Sequence, residues 1–129
     1  MTETPAAGKR IVLVVDDDAA VRNSHKFSLE LEGFEVRAYS GPIDLLNDDN
    51  LPASSCLVVN YQMPAMNGLE LVARLRDRQL SMPAILVTGH SNDSLRKRAA
   101  AVGVSIVEKP FLGARLVESI HRAFNDHYA

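Results

Sequence analysis

The sequence predicts an α/β protein built on a single doubly wound sheet of five parallel strands. Short β-branched runs alternate with longer segments of helical period, which is the pattern of β-α-β units. Three of the runs, IVLVV, CLVV and AILV, are apolar throughout, as expected for strands that helices cover on both faces. At 129 residues the chain is long enough for one such domain and too short for a second of any size.

The predicted strands and helices alternate along the chain without an internal repeat or a linker. The predicted strands are residues 11–15, 35–39, 57–59, 84–87 and 104–107. The predicted helices are residues 19–32, 42–46 and 68–76, a fourth that Ser91 or Asn92 caps and that ends before Gly103, and a fifth from Leu112 to about residue 125. Because crossovers of this kind are right-handed, the helices should cover both faces of the sheet. The second strand, EVRAY, alternates in polarity and is predicted to be an edge.

Composition and charge set limits on the class of protein. Residues 1–8 are expected to form a flexible tail and residues 9–129 a single domain with no further domain after it. The net charge of -2 argues against binding nucleic acid over the whole surface, and no apolar stretch approaches the ~20 residues of a membrane span. The single cysteine, Cys56, lies in an apolar run, so we expect a buried side chain and a reducing, cytoplasmic setting.

Polar side chains follow four of the five predicted strands. They are Asp16, Asp17 and Asp18 after the first strand, Asn60 after the third, Thr88 after the fourth and Lys109 after the fifth. Sites of doubly wound sheets lie outside the carboxyl ends of the strands, so these side chains should meet there. Adjacent carboxylates repel one another unless a cation offsets them, and oxygen ligands of this type suit Mg²⁺. A threonine hydroxyl and a lysine are groups that contact a phosphoryl group.

A purely structural alternative assigns the acidic residues to the cap of the first helix, with Lys109 paired to them. We prefer this role for Asp18 alone. The sequence therefore predicts a site for magnesium and a phosphoryl group.

Four motifs in this order, VVDDDAAVR, LVVNYQMPAMNGLEL, ILVTG and EKPF, resemble those of the receiver domain of bacterial two-component response regulators. The resemblance covers about residues 10–125 and implies a flavodoxin-like, CheY-like (βα)5 fold with a signalling role and no enzyme activity. It implies that Asp16 and Asp17 hold Mg²⁺ together with the backbone carbonyl of Gln62. It also implies that Thr88 is the switch hydroxyl and that Lys109 contacts the phosphoryl group.

Two positions depart from the family pattern. Asn60 matches the aspartate that accepts the phosphoryl group, and Ile106 matches an aromatic switch residue, usually tyrosine or phenylalanine. An amide oxygen is uncharged and the nitrogen lone pair is delocalised, so we expect no acyl phosphate at residue 60. The lost charge should also weaken the magnesium site. Lys109, without an anionic partner at residue 60, is expected to turn toward Asp16 or Asp17.

Three functions remain open at this stage. The first is a stand-alone receiver of a two-component phosphorelay that is not phosphorylatable at residue 60, either in a natural degenerate form or because the aspartate was replaced. The second is a pseudo-receiver that binds partners without accepting phosphate. The third is a phosphatase of the haloacid-dehalogenase type, which the spacing of Asp16 and Asp18 resembles, although no acidic motif completes its metal site after the lysine and residue 20 is alanine.

The partners implied by the resemblance are a sensor histidine kinase or a phosphotransfer protein. A second copy of the chain could also dock through the face of the fourth helix, fifth strand and fifth helix. No nucleic acid or membrane partner is expected. The basic run at residues 96–98 is expected to be a solvated face of the fourth helix, which leaves an acidic partner open.

Overall fold

A computed structural model describes residues 10–109 and 113–128 of the chain. Strands and helices alternate through this part of it. The strands are β1 Ile11–Val15, β2 Glu35–Tyr39, β3 Ser55–Asn60, β4 Ala84–Thr88 and β5 Ser105–Glu108. The helices are α1 Ala19–Leu31, α2 Pro42–Leu46, α3 Gly68–Asp77, α4 Asp93–Ala101 and α5 Gly113–Tyr128. The predicted tail at residues 1–8 and the predicted first residue of the last helix, Leu112, lie outside the described residues.

The strands form one parallel sheet in the order β2-β1-β3-β4-β5. This confirms the doubly wound sheet and places β2 at an edge, as its alternating polarity predicted. The winding direction reverses between β1 and β3, so the crevice outside their carboxyl ends is the place where such folds carry a site. None of the helices in the described ranges is long and apolar enough to cross a membrane.

The core is divided into two layers by the sheet. Successive residues of β1 point to opposite faces, so Leu13 packs with residues of α2, α3 and α4 while Val12 packs with residues of α1 and α5. Helix α5 buries an apolar stripe that contains Leu116, Ile120 and Phe124. Burial on both faces explains why the central strands are apolar throughout.

The first strand boundary that differs from the prediction is that of β3, which begins at Ser55, two residues before the predicted start at residue 57. Ser55 is fully buried, and the Tyr128 hydroxyl at the end of α5 accepts a hydrogen bond from its N–H at 3.1 Å and donates to its carbonyl at 2.7 Å. These bonds satisfy the backbone N–H and carbonyl groups of Ser55 at the start of β3. A serine in the sequence gives no sign of such a partner, so the strand start was predicted too late. Asn60 also belongs to β3, because it pairs with Val87 of β4.

The second differing boundary is the start of β5. Val104 was predicted as its first residue because it is apolar, and it is indeed buried. Its N–H donates to the carbonyl of Ala99 at 2.9 Å, which closes the end of α4. Val104 is therefore part of the helix cap, and β5 runs one residue later to end at Glu108.

Candidate functional site

The structure brings the predicted site residues together at the carboxyl edge of the sheet. Asp16 follows β1, Asn60 and Thr88 end β3 and β4, and Lys109 follows β5. Asn60 Nδ2 donates to Asp17 Oδ1 at 3.3 Å, and Lys109 Nζ donates to Asn60 Oδ1 at 3.4 Å. The backbone N–H of Lys109 donates to the carbonyl of Thr88 at 2.7 Å. The juxtaposition predicted from the strand ends is therefore confirmed.

The two acidic residues after β1 differ in environment. Asp16 is 2% exposed, and its Oδ1 accepts a hydrogen bond from the N–H of Asp18 at 2.9 Å, whereas Asp17 is exposed. Arg22 Nη1 donates to the Asp16 carbonyl at 2.8 Å and fixes the turn from the other side. Asp18 caps α1 as predicted, because its Oδ1 accepts hydrogen bonds from two backbone amides of the first turn at 2.9 and 3.2 Å.

The side-chain amide of Asn60 joins three groups. Its Nδ2 donates to Asp17 Oδ1 at 3.3 Å and to the carbonyl of Gln62 at 2.8 Å, while its Oδ1 faces Lys109. A backbone carbonyl only accepts and an ammonium only donates, so the neighbours themselves determine which end of the amide faces which group. The Nδ2 group of Asn60 therefore bridges Asp17 and the Gln62 carbonyl, which are two of the three groups predicted to hold magnesium.

These residues do not fit a magnesium ion as they stand. Two carboxylates and a carbonyl are a suitable oxygen set, since Mg²⁺ keeps several waters and takes few protein ligands. However, N–H groups of Asn60 point at Asp17 and Gln62, where a cation would have to lie. No group of three or more His, Cys, Asp or Glu side chains in residues 10–109 and 113–128 could hold a metal ion.

The prediction that Lys109 turns toward Asp16 or Asp17 is wrong. Within the described residues neither acid forms an ion pair with it, and its Nζ donates instead to Asn60 Oδ1 at 3.4 Å. The physical reason is the amide dipole: because Nδ2 is turned to Asp17, the carbonyl end is presented to the lysine. Asn60 therefore lies between the cation and the acid that were expected to meet.

Thr88 is buried at the site, but its hydroxyl is turned into its own loop. Oγ1 donates to the His90 carbonyl at 3.0 Å and accepts from the His90 N–H at 3.3 Å. Ile106, the other predicted switch position, is partly buried and packs against the core layer of α2, α3 and α4. Its side chain has no polar group, so it supplies no hydrogen bond to this loop.

His25 lies on the buried face of α1. It is 7% exposed, and its pKa lies below the ordinary value because burial disfavours the charged imidazolium. The charge of Asp16 opposes this shift and that of Lys109 adds to it. Both residues belong to the site, which places His25 within their electrostatic reach. Cys56 is likewise fully buried, and burial raises the pKa of its thiol to about 12.

Several contacts around the site gave no signal in the sequence. Residues 96–98 are exposed as predicted, yet Arg96 Nη2 contacts Glu108 Oε1 at 3.0 Å and Arg98 Nη2 donates to the Tyr61 hydroxyl at 3.1 Å. Ser91 Oγ donates to the same Glu108 oxygen. These partners lie on different elements, so only the folded chain brings them together.

The floor of the site requires glycine at residue 68. A Cβ on Gly68 would lie 2.6 Å from Leu86 Cδ1 and 2.7 Å from the Asn60 carbonyl oxygen. We expect Gly68→Ala to lower the free energy of unfolding by about 1–3 kcal/mol, because such an overpacked contact forces the backbone to move. Urea unfolding measures this. Gly41→Ala is the control, since residue 41 has an extended backbone and nothing within 4 Å of its Cβ position. Equal stability of the two variants would refute the argument.

Comparison with known proteins agrees with this geometry. Residues 12–121 match the family described as response regulator receiver domain. The transcriptional regulatory protein FixJ of Bradyrhizobium diazoefficiens is 37% identical over 115 residues, which cover 87% of this chain and 55% of that protein. The chain thus spans about half the length of the curated relatives it matches.

Solved structures show the same fold. The crystal structure of FixJ-N is 32% identical with a TM-score of 0.83 and covers 91% of this chain and 94% of its own. The chemotaxis protein CheY4 of Vibrio cholerae, 24% identical with a TM-score of 0.83, covers 90% of this chain and 99% of its own and supports the fold alone. Receiver domains are signalling modules and not enzymes, so the phosphatase alternative is set aside. The chain belongs to the response regulator receiver domain family.

Proposed function

We propose that this receiver domain transmits a signal through its docking surfaces and does not accept a phosphoryl group at residue 60. The observation that carries the proposal is the Asn60 amide, which donates to Asp17 and Gln62 and accepts from Lys109. The family resemblance assigns residue 60 as the phosphoacceptor position. The hydrogen bonds show that its polar atoms are already used within the chain.

The chemistry of the amide supports this proposal. Transfer to a receiver requires a carboxylate oxygen to attack phosphorus while the bond to the leaving group breaks and the leaving group takes the electron pair. The oxygen of Asn60 carries no charge and lies against the Lys109 ammonium, which draws electron density away from it. The nitrogen donates two hydrogen bonds and offers no free lone pair. Neither atom of the amide is a competent nucleophile.

The remaining site residues keep roles that do not need phosphate. Asp16 and Asp17 with the Gln62 carbonyl remain the proposed ligands of a weakened magnesium site, which would require the Asn60 amide to rotate. Thr88 and Lys109 remain the proposed contacts of an anion at the strand ends, and Ile106 takes no part in a relay of hydrogen bonds. Neutral and charge-assisted hydrogen bonds of the chain itself hold the site together.

The proposed partners are a sensor histidine kinase or a phosphotransfer protein in a cytoplasmic setting. Self-association through the face of α4, β5 and α5 is a further proposal, supported by a groove of about 560 Å³ that residues of these elements line. We also propose that the domain acts as a stand-alone module. FixJ is a transcriptional regulatory protein of about twice the matched length.

A partner-capture experiment tests the proposed function. The unaltered chain and Asn60→Asp are each offered to the kinase or phosphotransfer protein, with and without a small-molecule phosphodonor. We expect equal recovery of partner in all four conditions, because docking does not depend on residue 60. The exposed α1 residue Asn23 supplies the matched control, Asn23→Asp, which makes the same chemical change away from the site.

The second candidate function is that of an ordinary phosphate-dependent receiver, in which Asn60 in place of the acceptor aspartate prevents phosphorylation. It is favoured by the fact that Asp16, Asp17, Thr88 and Lys109 all lie at the same edge of the sheet around residue 60. This candidate predicts that partner recovery changes with the phosphodonor only in Asn60→Asp. That outcome would contradict the phosphate-independent function.

A further inference from the structure

Three side chains converge beside the site, where α4 begins. Ser91 Oγ and Arg96 Nη2 both donate to Oε1 of Glu108, the arginine at 3.0 Å. Ser91 lies in the loop between β4 and α4, Arg96 lies on α4, and Glu108 is the last residue of β5. One carboxylate oxygen thus ties both the loop and the helix to the end of the strand that precedes Lys109.

The same loop determines where the Thr88 hydroxyl points. Thr88 Oγ1 exchanges two hydrogen bonds with the backbone of His90, which directly precedes Ser91. In the described residues its hydroxyl has no hydrogen bond to Asn60 or Lys109. Ser91 thus bonds to Glu108, while the backbone of the neighbouring His90 bonds to the Thr88 hydroxyl.

A second contact fixes α4 on its other side. Arg98 Nη2 donates to the hydroxyl of Tyr61, the residue that follows Asn60. Helix α4 is therefore joined through two arginines to the residues next to Asn60 and next to Lys109.

The two donors to Glu108 also affect its protonation. The pKa of the Glu108 carboxyl lies below its ordinary value, mainly because of the hydrogen bond from Ser91 and secondly because of the one from Arg96. Both hydrogen bonds favour the ionised carboxylate.

We propose that Glu108 is a positioning residue that holds the β4–α4 loop in one conformation and so keeps the Thr88 hydroxyl turned toward His90, away from residue 60. The contacts involve no atom of Asn60, so the inference is independent of the proposed function. Ser91, Arg96 and Glu108 also line the groove between α4, β5 and α5.

Hydrogen exchange of single backbone amides in the full chain tests this inference. In Glu108→Ala we expect the His90 amide to exchange about three- to tenfold faster, because a charge-assisted hydrogen bond and an exposed ion pair are lost. In Ser91→Ala we expect faster exchange as well, because the hydrogen bond that joins the loop to Glu108 is lost while the ion pair with Arg96 remains. Lys97→Ala is the matched control, since Lys97 is exposed on the same helix and, among the hydrogen bonds and ion pairs of the described residues, has none with Glu108. Amides of β1 should not change in any variant.

Two further measurements separate positioning from a general loss of stability. Scalar couplings of the Thr88 methyl group report its χ1 rotamer, and we expect mixed rotamers in Glu108→Ala but one rotamer in the unaltered chain and in Lys97→Ala. The double variant Ser91→Ala with Glu108→Ala should exchange at His90 no faster than Glu108→Ala alone. The inference is overturned if Glu108→Ala leaves either the exchange of the His90 amide or the rotamer of Thr88 unchanged. It is also overturned if the two substitutions have additive effects in the double variant, or if the amides of β1 exchange faster to the same extent as that of His90.

Discussion

The Asn60→Asp variant is expected to take up one phosphoryl group from a small-molecule phosphodonor in the presence of Mg²⁺. The substitution supplies the charged oxygen that attacks phosphorus, and it replaces the N–H donors that now face Asp17 and Gln62 with acceptors. A cation can then lie between these oxygens and neutralise charge on the transferred group. The effect on uptake is expected to be all or none, since residue 60 is the proposed acceptor.

Intact mass and peptide mapping measure this uptake. Asn23→Asp, which places a new carboxylate on the exposed face of α1, is the matched control and should remain unmodified. Asn60→Asp combined with Lys109→Gln should take up phosphate more slowly, because the ammonium that contacts residue 60 is lost. Failure of Asn60→Asp to be modified would mean that more than the missing charge disables the site.

Magnesium affinity is the second large expected effect. Asn60→Asp is expected to bind Mg²⁺ about ten- to a hundredfold more tightly than the unaltered chain. At about 4 Å and an effective dielectric near 20, each pair of unit charges contributes about 4 kcal/mol, most of which desolvation offsets. In the unaltered chain the ion must also displace the Asn60 hydrogen bonds to Asp17 and Gln62.

Isothermal titration of both chains with MgCl₂ at constant ionic strength measures the difference. Asn60→Asp combined with Asp17→Asn provides the matched control, because it restores the number of carboxylates while removing a proposed ligand. We expect this double variant to bind weakly. Equal affinity of the unaltered chain and Asn60→Asp would contradict the account of the amide as an obstacle to the ion.

The strands and the doubly wound parallel sheet could be predicted because short apolar runs alternate with segments of helical period along the chain. The apolar runs of β1, β3 and β4 are long enough to identify buried parallel strands, and their order determines which polar residues meet. The position of Asn60 among the acids, the threonine and the lysine followed from that topology alone. The capping role of Asp18 was also readable, since it depends on backbone amides two and three residues away.

The side-chain contacts of the site could not be predicted, because they depend on how side chains are oriented in the folded chain. Charge alone suggested that Lys109 would approach Asp16 or Asp17, whereas the amide dipole of Asn60 separates them. The hydrogen bonds of Ser55 with Tyr128 and of Ser91 with Glu108 join positions far apart in the chain. No period or spacing in the sequence encodes such pairs.

Above all, we propose that the amide at residue 60 closes this receiver site to phosphoryl transfer. The most direct measurement is peptide mapping of the unaltered chain after prolonged incubation with Mg²⁺ and a phosphodonor, under conditions that fully modify Asn60→Asp. We expect the peptide that contains Asn60 to keep its unmodified mass. A phosphoryl group mapped to residue 60 in the unaltered chain would contradict it.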